Sequence, residues 1–353
     1  MDDSDRSQEL RQAVLEASSA KKPLRIVGGD SKAFYGRGVD GAPLEVAGHR
    51  GVVAYEPTEL VLTARAGTPL AEVEETLAGQ RQMLAFEPPR FGGGTLGGAI
   101  ACGLSGPRRP YAGAARDFVL GVRVLNGRGE VLRFGGQVMK NVAGYDLSRL
   151  MAGSLGTLGV ILEVSLKVLP LPAVERTLVQ PRSAAAAIEA VNRWAGKPLP
   201  LSGACHDGEN LYIRLSGTAK GVQAASAAIG GVTLADDADF WTSIRDQTHG
   251  FFADAAPLWR LSLPGAAPPL DLPGRWLLDW GGAQRWLVSD APADAIRRQA
   301  AAAGGHATLF RGGDRRGQVL HPLSPGLLAL HRRLKQSFDP EGIFNPGRLY
   351  PDF

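Results

Sequence analysis

Cysteine is scarce in this chain. Cys102 and Cys205 are the only two in 353 residues, too few for a disulfide framework and ordinary for a reducing compartment. A thiolate metal cluster is excluded by the same count. No window of about 20 residues is continuously apolar, so a membrane-spanning helix is not expected. The N-terminus, MDDSDRSQEL, lacks the basic start and apolar core of a signal peptide, and a soluble cytoplasmic chain is expected, with any membrane association borrowed from a partner. Charge of one sign is also in short supply: the formal net charge is +4, with Lys and Arg scattered among acids, so nucleic acid is not indicated. The local exception is His306 to Arg348, where seven basic residues face three acids, a net of four; a solvated face and a docking surface both remain open there.

Glycine, by contrast, is plentiful. The chain has 46, clustered between apolar runs and not spread through a low-complexity tract. Such clusters mark tight turns and places where backbone approaches a ligand. Phe91 to Ile100, FGGGTLGGAI, contains G-x-G-x-x-G at Gly92, Gly94 and Gly97. A Rossmann site needs a strand before those glycines, a helix after them and an acid at the end of the next parallel strand. Here Pro88-Pro89 precedes them and the following strand, Phe118 to Leu125, runs into Asn126-Gly127 and Gly129, a hairpin signal leading to Glu130–Phe134. The match therefore argues little for a Rossmann fold.

Length points to two domains. Gln8 to Ala17 reads as a helix with Leu10, Val14 and Ala17 on one face, and Leu24 to Val27 as a strand. Thr68 is expected to cap a helix with Pro69 at its first position, Leu70, Val73 and Leu77 on its buried face and Gly79 near its end. Val160 to Val168 alternates with period two and is closed by Pro170 and Pro172, a domain boundary. Beyond it the pattern is α+β: strands at 176–179, 199–204, 211–215, 258–263, 276–280 and 285–288, helices starting near Ser183, running through Ile229 and over 291–303, and a last helix begun by Ser324-Pro325. No solenoid-type repeat is present.

Three glycine-rich turns stand at element junctions: VGGDSK (27–32), GTLGG (94–98) and GSLGTLG (153–159). Each alone reads better as a plain tight turn. Together they suit one bound polyanion, because glycine lets successive N–H groups converge on phosphate while Ser31, Thr95 and Thr157 add hydroxyl donors.

The order and wording of these turns resemble the FAD domain of the vanillyl-alcohol oxidase, or p-cresol methylhydroxylase (PCMH), type. The resemblance covers essentially the whole chain and rests on RIVGGDSKAFYGRG (25–38), TLGGAIACGLSGPRRPYAGAARDFVLG (95–121), FGGQVMKNVAGYDLSRLMAGSLGTLGVILEVSLKVLP (134–170) and FDPEGIFNPGRLYP (338–351). It implies an α+β protein: a two-subdomain PCMH-type FAD-binding domain over 1–172, an α+β cap domain with an antiparallel sheet over 173–335, and a C-terminal segment, 336–353, returning to the FAD domain. It implies pyrophosphate contacts from Val27, Gly28, Gly29, Asp30 and Ser31, a flavin and ribityl side lined by Thr95, Gly97, Gly98, Ser105 and Gly106, a flavin edge at Gly159, Val160 and Ile161, and Asn345 nearby. Members with covalent FAD commonly carry His where this chain has Asp30, so dissociable FAD is expected.

The resemblance further implies an FAD-dependent oxidoreductase subunit acting on 2-hydroxy acids such as glycolate, beside a catalytic flavin subunit and an iron–sulfur subunit. Two cysteines cannot hold a cluster themselves. The related catalytic subunits carry paired cap histidines and an E-H-G word that bind a divalent metal. This chain has only His206 in CHDG, no Glu-His in HATLFRGG (306–313), and Leu155 where that relative has glutamate, so no metal site and no catalytic residue is assigned. His206 reads better as a satisfied histidine. Lys140, Asn141, Tyr145 and Asp146 suit a flavin pocket, although Asp146 suits a helix cap better. Arg108 and Arg109 fit an acid substrate, the flavin or a neighbouring subunit alike. An independent FAD-dependent 2-hydroxy acid dehydrogenase and a module with purely structural FAD remain the alternatives.

Overall fold

A computed structural model describes residues 5–136 and 146–353. Lys140, Asn141 and Tyr145 lie outside the described residues. The chain divides into two compact units: the first takes the residues up to Leu104, Ala114–Pro170 and Arg315–Phe353, the second Ser105–Gly113 and Leu171–Asp314. The returning C-terminal segment thus begins at Arg315, and not at 336 as read from sequence. A short excursion, Ser105–Gly113, leaves the first unit for the second.

The first unit is built on a five-stranded antiparallel sheet in the order Val52–Glu56, Val61–Arg65, Val160–Lys167, Val119–Leu125, Val131–Gly135. Alternation sends Val160, Leu162, Val164 and Leu166 into the core at 0% exposure, beside the helix Leu96–Cys102, which buries Leu96 and Ile100; Leu70, Val73 and Leu77 of the helix Leu70–Ala78 are buried as well. Burying each such side chain contributes roughly 1.5–3 kcal/mol. The hairpin after Leu125 forms as the residues require: Asn126 Oδ1 accepts from the N–H groups of Arg128 and Glu130, and Gly129 takes φ +74°. A separate parallel pair, Leu24–Val27 with Ala42–Glu45, stands beside the sheet, and the helix Pro325–Phe338 with proline in its first turn leads into the C-terminal segment.

Thr68 does not cap the helix expected of it. Pro69 takes that place without a side-chain bond, because the fully buried Thr68 hydroxyl is already engaged, donating to the Arg65 carbonyl at 2.7 Å and accepting from Gly51 N at 2.9 Å.

The second unit carries an eight-stranded antiparallel sheet in the order Val232–Thr233, Val174–Pro181, Asn210–Gly217, Leu201–His206, Arg275–Asp279, Gln284–Val288, Leu258–Ser262, His306–Arg311. Helices Ala184–Ala195 and Ala219–Ile229 bury Ala187, Val191, Val222 and Ala225 against Leu178, Ile213 and Leu215. Ser183 and Thr218 cap them through bonds to Ala186 N and Gly221 N. Strand His306–Arg311 and helix Asp237–Asp246 were not legible in the sequence. Trp280, read there as strand, instead opens a 3-10 turn with φ +55°. Among the described residues, no helix is long and apolar enough to cross a membrane.

Candidate functional site

The strand Leu24–Val27 ends in Gly28-Gly29-Asp30-Ser31, where Asp30 adopts φ +49°, a left-handed conformation that Asp tolerates better than most residues. Arg25, one turn of strand back, donates Nη1 to both Asp30 carboxylate oxygens at 3.1 and 3.3 Å. A Cβ on Gly29 would lie 1.8 Å from the Gly93 carbonyl oxygen, and one on Gly28 would lie 2.5 Å from Thr95 Oγ1. These two glycines are therefore demanded by the packing of the first turn on the second.

The second turn enters the helix Leu96–Cys102 through Thr95, whose Oγ1 accepts from Gly98 N at 3.3 Å. The third turn, 153–159, is shaped by Gly153, Leu155 and Gly156, all with positive φ. A strap from the C-terminus then binds the turns to one another. Asn345 Oδ1 accepts from Ile26 N at 2.9 Å, and its Nδ2 donates to the Leu155 carbonyl at 2.7 Å. Arg348 Nη2 donates to the carbonyls of Lys32 at 3.2 Å and Tyr35 at 2.7 Å.

Between these segments lies an open cleft of about 780 Å³ of non-atom space, the solvent at its mouth included. It lies wholly within the first unit. Of the residues singled out from sequence, Gly28, Gly29, Asp30, Ser31, Thr95, Gly97, Gly98, Gly159, Ile161 and Asn345 line it. Val27 and Val160 do not; both are buried core residues, and the Val27 carbonyl accepts from Val46 N at 2.7 Å. Ser105 and Gly106 belong to the second unit, where the Gly106 carbonyl accepts from Trp280 Nε1 at 2.9 Å.

Sequence reading missed Lys32, Cys102, Leu155, Gly156 and Arg348, which also line the cleft. Lys32 is 6% exposed, with Nζ 3.3 Å from Ser31 Oγ and 5.7 Å from the centre of the Phe91 ring. Its place directly after Gly-Gly-Asp-Ser was the available signal. Burial draws the Arg348 guanidinium below its ordinary pKa, Asp30 pulling it back up and Arg25 pushing it further down. Its buried Nε has no hydrogen-bond partner among the described residues. Desolvation pushes the Cys102 thiol up, against the pull of Lys32 and Arg348.

The cleft is thus a concave, glycine-walled space holding two cations and two hydroxyls, with a desolvated guanidinium nitrogen lacking an acceptor. An extended anion with an apolar end fits these residues. The remaining candidates take structural places. Asp146 caps Leu147–Leu150 by accepting from Arg149 N at 3.2 Å. His206 is buried, with Nε2 2.8 Å from the Arg182 carbonyl oxygen and Nδ1 accepting from Gly208 N at 3.3 Å. Arg108 donates to Glu175 at 2.5 Å, and the Arg109 guanidinium stacks 4.3 Å from the Trp280 ring. Among the described residues, no three His, Cys, Asp or Glu side chains converge as a metal site would require.

Two sequence families match: the FAD binding domain over residues 5–135 and the C-terminal domain of FAD linked oxidases over 311–349. The chain is 52% identical to glycolate oxidase subunit GlcE of Escherichia coli over 349 residues, covering 99% of this chain and 98% of that protein. Over 85 residues, 24% of this chain and 18% of the relative, it is 44% identical to glycolate oxidase subunit GlcD of Bacillus subtilis. In fold it is similar to substrate-bound p-cresol methylhydroxylase, with a TM-score of 0.74 at 15% identity over 99% of this chain and 88% of that one. On its full-length identity to subunit GlcE, the chain belongs to the glycolate oxidase subunit GlcE family of FAD-binding, FAD-linked oxidoreductases.

Proposed function

We propose that the cleft of the first unit holds FAD without a covalent bond, and that the chain is the second flavin subunit of a glycolate dehydrogenase complex. The observation that carries this is the convergence of three glycine-rich turns and the C-terminal strap on one cation-bearing cleft. Gly28, Gly29 and Ser31 present backbone and hydroxyl donors to the diphosphate, with Lys32 and Arg348 supplying positive charge. Thr95, Gly97 and Gly98 lie along the ribityl chain, and Gly159, Ile161 and Asn345 face the ring system. Hydrogen bonds to a charged group contribute about 1.5–3 kcal/mol each, so a handful retains the cofactor firmly.

Asp30 occupies the position where an imidazole would otherwise be available for attachment. The Cys102 thiol, raised by desolvation, stays protonated and is a poor nucleophile. Both support dissociable FAD. Bound FAD supplies a two-electron acceptor or relay; the chain's own residues orient it and exclude water from its diphosphate. In the second unit His206 is engaged in structural bonds, and the partner histidine and E-H-G word of the related catalytic subunits are missing. We therefore assign substrate oxidation to a sister flavin subunit and onward electron transfer to an iron–sulfur subunit, since a cluster takes four ligands of a kind this chain has only two of. Membrane association, on this reading, comes through those partners.

Purification of the chain alone and with its sister subunit is the test. The isolated chain is expected to emerge yellow, to release FAD on acid precipitation and to stay oxidised when glycolate is added. Bleaching by glycolate should require the sister subunit. Bleaching of the isolated chain would make it a self-sufficient dehydrogenase, and flavin that stays oxidised throughout turnover of the complex would make its FAD structural.

A further inference from the structure

An anion-binding cleft that places a carboxylate on its wall needs an explanation. Asp30 lines the cleft together with Ser31, Lys32 and Arg348, at the turn where phosphate would sit closest to backbone. Its side chain is 51% exposed. A negative charge there repels a diphosphate through space. Arg25 sits beside it, with Nη1 3.1 Å from Oδ1 and 3.3 Å from Oδ2.

We propose that the Arg25–Asp30 ion pair is a charge shield that sets the affinity of this cleft for the cofactor's diphosphate. The inference rests on the FAD reading of the cleft and deepens it. Among the charged residues that line the cleft, Lys32 and Arg348 against Asp30 give a net charge of one positive. Arg25, paired to Asp30, raises it to two, which matches a diphosphate diester bearing about one negative charge on each phosphate. Arg348 feels both members of the pair: Asp30 raises its pKa and Arg25 lowers it. Removing Arg25 therefore does more than delete a remote charge. It exposes the Asp30 carboxylate to the ligand and leaves that carboxylate to draw on Arg348, the cation whose Nε is buried without an acceptor among the described residues.

The pair also explains why an acid is tolerated at residue 30. Its left-handed backbone, φ +49°, favours Gly, Asn or Asp, so the turn itself restricts the choice. Asn at this place keeps the conformation and removes the charge, which makes it a clean probe.

Four variants of the full chain, stripped of flavin and titrated with FAD by quenching of flavin fluorescence, decide the matter. Arg25→Gln is expected to raise the dissociation constant about tenfold and Asp30→Asn to lower it about threefold. In the Arg25→Gln/Asp30→Asn double variant, affinity should return to within about threefold of the parent. Arg25→Lys, which keeps the charge, should stay near the parent. Thermal melts of each apoprotein show whether the fold is retained; should Arg25→Gln unfold, the comparison of Asp30→Asn with Arg25→Lys still carries the test. Equal weakening in Arg25→Gln and in the double variant, or weakening by Asp30→Asn alone, overturns the shield. A folded parent chain that binds no FAD overturns the cofactor reading itself, a separate outcome.

Discussion

Asn345 donates its Nδ2 proton to the Leu155 carbonyl at 2.7 Å, joining two residues 190 positions apart in the chain. Its Oδ1 accepts from Ile26 N at 2.9 Å, so one 4%-exposed side chain fixes the strand before the first turn to the third turn. Replacement by Ala leaves a buried N–H and a buried carbonyl unpaired and forces Ala into a left-handed conformation, φ +41°. Asn345→Ala is expected to lose about 2–5 kcal/mol in urea unfolding. Asn345→Asp retains the acceptor for Ile26 N but sets a buried carboxylate oxygen against the Leu155 carbonyl oxygen, so it should destabilise as well. A neutral Ala variant would show that the strap does not organise the cleft.

Two glycines separate packing from ligand approach. Gly29 faces the Gly93 carbonyl oxygen, whereas a Cβ on Gly98, also on the cleft wall, would meet only Thr95 Oγ1, at 3.1 Å. Gly29→Ala should destabilise the apoprotein, while Gly98→Ala leaves its melting temperature unchanged or raised and weakens FAD binding. Calorimetry of the apoprotein with a flavin titration checks both. Retained FAD affinity in Gly98→Ala would move the cofactor away from this helix start.

Lys335 and Asp339 form a buried pair at 2.6 Å, side chains 7% and 0% exposed. Lys335 Nζ also donates to the carbonyls of Thr157 at 2.9 Å and Phe344 at 2.7 Å, and Asp339 accepts from Ile343 N and Phe344 N. Lys335→Met strands a buried carboxylate and should cost about 3–5 kcal/mol. Adding Asp339→Asn removes the stranded charge and should recover part of the loss. Chemical denaturation of the two variants gives the comparison, and equal stability of single and double variants would contradict it.

Burial holds the His49 imidazole below its ordinary 6.5, against the opposite pull of Asp5 and Glu163. The unfolded chain therefore takes up this proton at higher pH than the native chain does. Between the two values the unfolded state binds more protons, so stability is full above about 6.5 and declines as pH falls toward the native value. His49→Asn keeps an acceptor for Arg6 N, 3.0 Å from Nδ1 in the parent, and removes the titration. Melting temperatures measured across the acid range should decline less steeply in the variant. Parallel curves would place the acid sensitivity elsewhere.

Much of the local structure was legible. Alternation over Val160–Lys167, the Asn126-Gly127 hairpin and the start of Pro325–Phe338 each follow from neighbours a few residues apart. Thr68 was misread because its hydroxyl answers to Gly51 and Arg65, and the local pattern could not show that competition. Ser105 and Gly106 were set on the flavin and ribityl side by the resemblance alone, and the chain leaves the first unit after Leu104.

The sequence by itself determined the turns, since glycine, threonine and aspartate at those positions have few other backbone uses, and through its wording it determined the family. Only the tertiary structure decided that Lys32 and Arg348, 316 residues apart and joined by a 3.2 Å bond, share one cleft, and that the Arg25 guanidinium pairs with the Asp30 carboxylate on its wall. Local propensity acts over a few residues, whereas charge and packing act over ångströms; which distant side chains meet across those ångströms is settled by burial of the sheet core and the return of the C-terminal strap.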